Sequence, residues 1–133
     1  MAEQQCQKAV LIVEDDDGWA RLISDEVADA GFRPVRVSTV DEARGRLEQG
    51  SDASLVVLDV LFGERAEPLG LDFARWLHHD RRWRNLPIVF CTVVGMEEIT
   101  AKLGLKDVVF FQKPIVFREF SDKIKAILAK GAA

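Results

Sequence analysis

Five short apolar runs recur along the chain, and the segments between them carry apolar residues at helical spacing. The runs are AVLIV (9–13), PVRVS (34–38), LVVLD (55–59), PIVFCT (87–92) and VVFFQ (108–112). They are brief and rich in β-branched and aromatic side chains, which favours strands over helices. The first, third and fourth are apolar at every position before their last one or two residues. A strand of that kind has to be covered on both faces, as a parallel sheet with helices on either side provides. The second alternates Val35, Arg36, Val37, Ser38, the pattern of an edge strand.

The intervening segments predict five helices. Residues 17–30 carry Trp19, Ile23, Val27 and Ala30 on one face, with Asp16 or Asp17 as N-cap and Gly31 as stop. Residues 41–50 turn Ala43 and Leu47 inward, although Gly45 in the middle costs about 1 kcal/mol against alanine. Residues 70–80 bury Phe73, Ala74 and Leu77, and residues 96–104 close at Gly104. Residues 116–130 carry Phe117, Phe120, Ile124, Ile127 and Leu128 in one stripe. Alternating strand and helix at this length predicts an α/β fold, a single doubly wound (βα)5 domain over residues 1–133 with its core at about 8–130.

The strand ends carry the chemistry. The third run stops at Asp59, and the first is followed by Glu14, Asp15, Asp16 and Asp17. Parallel strands share one polarity, so these acids belong to one rim, and open α/β sheets bind ligands at the carboxyl ends of their strands. If the first and third strands are neighbours, Glu14, Asp15 and Asp59 converge, and three carboxylates repel unless a cation neutralises them. Hard oxygen donors with room for water favour Mg²⁺. Asp16 and Asp17 lie past the strand end and read as helix caps. The fourth run ends at Thr92, and Lys113 and Pro114 follow the fifth. Acids, a metal, a hydroxyl and a lysine around one aspartate make a phosphoryl-transfer site. Asp59 is its natural nucleophile, since a carboxylate can form an acyl phosphate.

Other readings are weaker. The net charge of −4 argues against a nucleic-acid footprint. The basic segment ARWLHHDRRWRN (74–85) reads as a helix end whose dipole favours cations, with Trp83 under the following turn. His78 and His79 are adjacent, and so lie about 100° apart on a helix and cannot chelate together. Cys6 and Cys91 match no zinc or redox spacing, and Cys91 reads as a buried thiol. No stretch approaches the ~18 apolar residues of a membrane span, and the start has no basic leader region. Cytoplasmic placement without membrane or nucleic-acid contact is the expectation.

VLIVEDD (10–16), LVVLDV (55–60), PIVFCT (87–92) and QKPI (112–115) together resemble the receiver domain of two-component response regulators, in that family's order and each at its strand end. The resemblance implies a flavodoxin-like, five-stranded parallel sheet of order 2-1-3-4-5. It implies that Asp59 accepts a phosphoryl group from a histidine kinase or phosphotransfer protein. Glu14, Asp15 and Asp59 would hold Mg²⁺ with the backbone carbonyl of Leu61, and Thr92 and Lys113 would contact the phosphoryl oxygens. Phe110, three residues before the lysine, matches the family's rotating aromatic, a switch acting with Thr92. The output surface would include Glu98, Lys102, Lys106 and Lys123, read by a downstream protein partner, with the chain a monomer or weak dimer.

The chain also departs from that pattern. The loop between Asp59 and Gly70 is long, and Gly63 stands where the family usually has a proline. Val93 follows Thr92 where a small residue is usual, and its branched side chain would narrow the approach to Asp59. The stretch from Gly104 to Lys113 is also long. Two alternatives compete: a degenerate receiver that binds partners without phosphorylation, and a phosphatase using an aspartyl phosphate. The phosphatase wants a second acid two residues after the nucleophile, where Leu61 stands.

Overall fold

The computed structural model describes residues 7–104 and 108–131, so Cys6 and Lys106 lie outside the described residues. Strands β1 (Ala9–Val13), β2 (Arg33–Val37), β3 (Ala53–Leu58), β4 (Ile88–Thr92) and β5 (Val109–Gln112) alternate with helices α1 (Asp17–Asp29), α2 (Val40–Glu48), α3 (Leu69–His79), α4 (Met96–Leu103) and α5 (Phe117–Gly131). The sheet is parallel throughout, in the order β2-β1-β3-β4-β5. The α/β, flavodoxin-like fold and strand order are those the resemblance implied.

Register explains why the strand ends form one rim. Val13 pairs with Val37 on one side and Leu58 on the other. Leu58 pairs with Phe90, and Thr92 with Gln112. The residues that follow β1, β3 and β5 therefore emerge together at the carboxyl edge.

Fully apolar strands serve two cores. Leu11, Val13, Leu58 and Phe90 face a cluster completed by Leu47, Leu77 and Ile99 from α2, α3 and α4. Val10, Ile12, Val57, Val89 and Cys91 face the other, completed by Ile23 and Val27 of α1 and Phe120, Ile124 and Leu128 of α5. Cys91 is a free, buried thiol, and its burial pushes its pKa up.

Several boundaries shift by a residue or two for local reasons. Helix α2 begins at Val40 because Thr39 caps it: the Thr39 hydroxyl accepts the Glu42 N–H at 3.1 Å, and the Glu42 carboxylate reaches back to the Ser38 N–H. Helix α4 stops at Gly104, whose φ of 69° is the left-handed conformation glycine adopts without strain. In the basic segment, Arg82 pairs with Asp80 and Arg75 with Asp72, so two of its cations are locally neutralised. Among the described residues no helix is long and apolar enough to cross a membrane.

Candidate functional site

The site is built where β1 and β3 run out. The Glu14 N–H donates to the Val37 carbonyl at 3.1 Å, so Glu14 continues β1 along β2 for one more residue. The Glu14 carbonyl then turns to Arg36, which donates to it from Nε and Nη2 at 3.0 and 2.9 Å. Arg36 Nη2 also holds the Asp17 carboxylate at 2.9 Å, joining the start of α1 to the edge strand. Asp16 is the cap of α1, its Oδ1 accepting the Trp19 N–H at 2.9 Å. Of the two acids named as caps, Asp16 fills that role and Asp17 makes the ion pair.

Asp59 sits one residue past β3, its N–H donating to the Val13 carbonyl at 3.1 Å. It is 7% exposed, and Glu14 only 2%. The Lys113 N–H donates to the Thr92 carbonyl at 2.9 Å, which sets the lysine beside the same rim. Its Nζ donates to Glu14 Oε1 at 2.6 Å and to Asp59 Oδ2 at 3.0 Å. Asp59 Oδ1 accepts the Val60 N–H at 2.7 Å, and Glu14 Oε2 the Asp16 N–H at 3.1 Å. The Trp19 ring centroid is 5.2 Å from Lys113 Nζ.

Burial dominates the electrostatics. It pushes the Glu14 pKa up to about 7, with the Asp59 charge adding to the rise and the Lys113 bond opposing it. Burial works against the Lys113 ammonium as well, yet its bonds to Glu14 and Asp59 outweigh that cost and raise its pKa. Glu14, Asp15 and Asp59 each offer a carboxylate oxygen, all within 4.8 Å of one another, a spacing that could hold a metal ion.

The other predicted residues are arranged around this centre. Thr92 is fully buried at the end of β4, and its hydroxyl accepts the Val94 N–H at 3.3 Å. Phe110 pairs in register with Phe90 and packs, half-buried, on the α2–α4 side of the sheet. Leu61 follows Val60 with its N–H 3.4 Å from Asp59 Oδ1. Val93 is 58% exposed on the rim.

The long loop is a compact turn. Phe62 and Glu67 pair antiparallel through hydrogen bonds of 2.9 and 3.0 Å. Gly63, with φ of 81°, donates its N–H to Asp15 Oδ2 at 3.0 Å. A proline there has no N–H to give and cannot reach that φ, which accounts for its absence. Gly70 seats the start of α3 directly on the Asp59–Val60 backbone, its N–H donating to the Val60 carbonyl at 2.9 Å.

Trp19, Arg36, Gly63 and Gly70 are the site residues that sequence reasoning missed or read otherwise. Trp19 shows as one residue of an apolar helix face, and Arg36 as the polar phase of an edge strand. Only the two glycines carried a signal, through their spacing from Asp59.

No family model matches the chain. The transcriptional regulatory protein GltR of Pseudomonas aeruginosa is 30% identical over 127 residues, which are 93% of this chain and 50% of GltR. The polar-differentiation response regulator DivK of Brucella ovis is 28% identical over 124 residues, 91% of this chain and 96% of DivK. The chain thus spans about half the length of the first relative and nearly all of the second. Among solved structures, the signal receiver domain of a signal transduction histidine kinase from Syntrophus aciditrophicus matches with a TM-score of 0.77. That match covers 92% of this chain and 91% of that one at 22% identity, a likeness of fold. With the strand order, the acid-lined rim and these relatives in hand, the chain is similar to response regulators over nearly its whole length and has the fold of their receiver domains.

Proposed function

We propose that Asp59 accepts a phosphoryl group from a histidine kinase or phosphotransfer protein, and that the resulting change in surface is read by a downstream protein. The observation that carries this reading is the carboxylate of Asp59 with one oxygen on Lys113 and the other on a backbone N–H, at the open end of a parallel sheet. The donor set fits Mg²⁺. Three acids against one ammonium leave a negative excess, all the offered atoms are hard oxygens, and exposed Asp15 leaves room for water. Glu14, Asp15, Asp59 and the Leu61 carbonyl would hold the ion, which when bound neutralises charge on the transferring phosphoryl group.

The chain's own residues supply the rest. An Asp59 carboxylate oxygen forms the new bond to phosphorus as the bond to the donor breaks, and the donor atom leaves with the electron pair. Lys113, already on Asp59 Oδ2, moves onto a phosphoryl oxygen without leaving the pocket. The Thr92 hydroxyl gives up the Val94 N–H to reach the same group, and Phe110 turns into the space it vacates. The face formed by α4, β5 and α5 would carry the change outward, through exposed residues such as Glu98, Lys102 and Lys123. This reading makes the protein a cytoplasmic switch acting as a monomer or weak dimer, its catalysis confined to its own phosphorylation and dephosphorylation.

The deciding experiment is incubation with acetyl phosphate and Mg²⁺, followed by intact mass. One phosphate per chain is the expected result. An unmodified mass at saturating reagent would reject the reading in favour of a module that binds without phosphorylation.

Two further outcomes are expected at this site. A proton and a cation compete for Glu14, whose pKa stands near 7, so acid weakens Mg²⁺ binding. Between pH 8 and pH 6 the half-saturating Mg²⁺ concentration should rise about tenfold, measured by calorimetric titration. Val93→Ala removes two methyl groups from the rim and should speed phosphorylation by up to about tenfold in stopped flow. An equal or slower rate would mean that Val93 restricts nothing.

A further inference from the structure

Lys113 has a longer side chain than the acids and the threonine it meets at the site, and it loses considerable rotamer freedom when fixed. Two carboxylates hold its ammonium from one side. The indole of Trp19 holds it from another, with its ring centroid 5.2 Å from Nζ. Trp19 is itself pinned. Its backbone N–H donates to the Asp16 cap at 2.9 Å, and its ring leans on Phe117 of α5, the centroids 6.4 Å apart. Phe117 rests in turn on the fully buried Phe120 at 6.3 Å. The indole is thus backed by the core.

A hydrogen bond fixes a direction, whereas an aromatic face attracts a cation held anywhere over it within about 6 Å of the ring centroid, with no single donor–acceptor line. That matters for the reading proposed above, on which this inference rests. When Asp59 gains a phosphoryl group, Lys113 must exchange a carboxylate oxygen for a phosphoryl oxygen farther out. We propose that Trp19 is the positioning residue for this exchange, its indole face keeping the Lys113 ammonium over the acid pocket as its oxygen partner changes.

The test compares Trp19→Leu, which keeps apolar bulk without an aromatic face, with Trp19→Phe, which keeps the face. One measurement needs no chemistry: the proton shifts of the Lys113 ε-methylene, which an indole at this distance moves upfield. The other is the acetyl phosphate rate at saturating Mg²⁺, with the half-saturating Mg²⁺ concentration taken from the same series. The proposal expects the upfield shift in the parent, its retention in Trp19→Phe and its loss in Trp19→Leu. It expects Trp19→Leu to slow phosphorylation about tenfold with half-saturation unchanged, and Trp19→Phe to recover most of the rate. Identical Lys113 shifts in parent and Trp19→Leu would overturn it, and so would a lost shift with an unaltered rate. A change in half-saturation alone would overturn it too, since Trp19 would then brace the acids instead. A parent that shows the upfield shift but takes no phosphate would reject the phosphoacceptor reading and leave the placement of Lys113 by Trp19 standing.

Discussion

Asp59→Asn is expected to fold as the parent does and to take up no phosphate from acetyl phosphate and Mg²⁺. The amide is nearly isosteric, and its carbonyl oxygen can still accept the Val60 N–H that Asp59 Oδ1 accepts at 2.7 Å. It is no nucleophile, so the acyl phosphate cannot form. Its NH₂ group would face the Lys113 ammonium, donor against donor, and Lys113 would settle wholly on Glu14, already 2.6 Å away. Losing the Asp59 charge also removes one of the influences that raise the Glu14 pKa, which should therefore fall from about 7. Stability should change little, because the relief of like-charge repulsion offsets the lost ion pair with Lys113. Intact mass reads the first outcome and thermal unfolding the second. Phosphate found on the variant and mapped to another residue would remove Asp59 from the centre of the mechanism.

The fold and the reactive groups of the site were legible because both follow from local pattern combined with strand polarity. Apolar runs that bury both faces dictate a parallel sheet, and a parallel sheet gathers the residues after its strands. That is enough to bring Glu14, Asp59 and Lys113 together from three separate segments, as their mutual contacts bear out. What stayed hidden is made by backbone groups or by side chains with two uses. The Gly63 N–H meets Asp15 across 48 residues, a contact set by the shape of a turn and invisible to periodicity. Arg36 looks like the solvent phase of an edge strand, yet its fork grips the Glu14 carbonyl. Trp19 satisfies the helical pattern so fully that nothing in the sequence calls for a second role. The 62–70 stretch read as a loop of uncertain effect, and its pairing of Phe62 with Glu67 needs only two backbone hydrogen bonds and no marked propensity.

The same substitution at two glycines should have opposite effects. A Cβ built on Gly70 lies 2.0 Å from the Asp59 carbonyl oxygen, 2.8 Å from the Val60 Cα and 3.0 Å from the Asp59 carbonyl carbon. All three are backbone atoms, so no side chain can swing aside. Either α3 backs away from the sheet or the Asp59 peptide is pushed out of place. Overpacking of this kind costs about 1–3 kcal/mol and sometimes more, against at most about 1 kcal/mol gained from alanine in the first turn of a helix. Gly70→Ala should therefore lower Tm by roughly 5–10 °C, for a net loss of about 2 kcal/mol. On the phosphoacceptor reading it should also slow phosphorylation, because the disturbed peptide carries Asp59, the proposed nucleophile. Gly45 is the control. It lies within α2, a Cβ there meets nothing within 4 Å, and Gly45→Ala should stabilise by up to about 1 kcal/mol with an unchanged phosphorylation rate. Thermal unfolding of the two variants beside the parent decides the matter. If Gly70→Ala melts no lower than the parent, α3 does not rest on the Asp59 backbone and the long loop alone sets the position of Asp59.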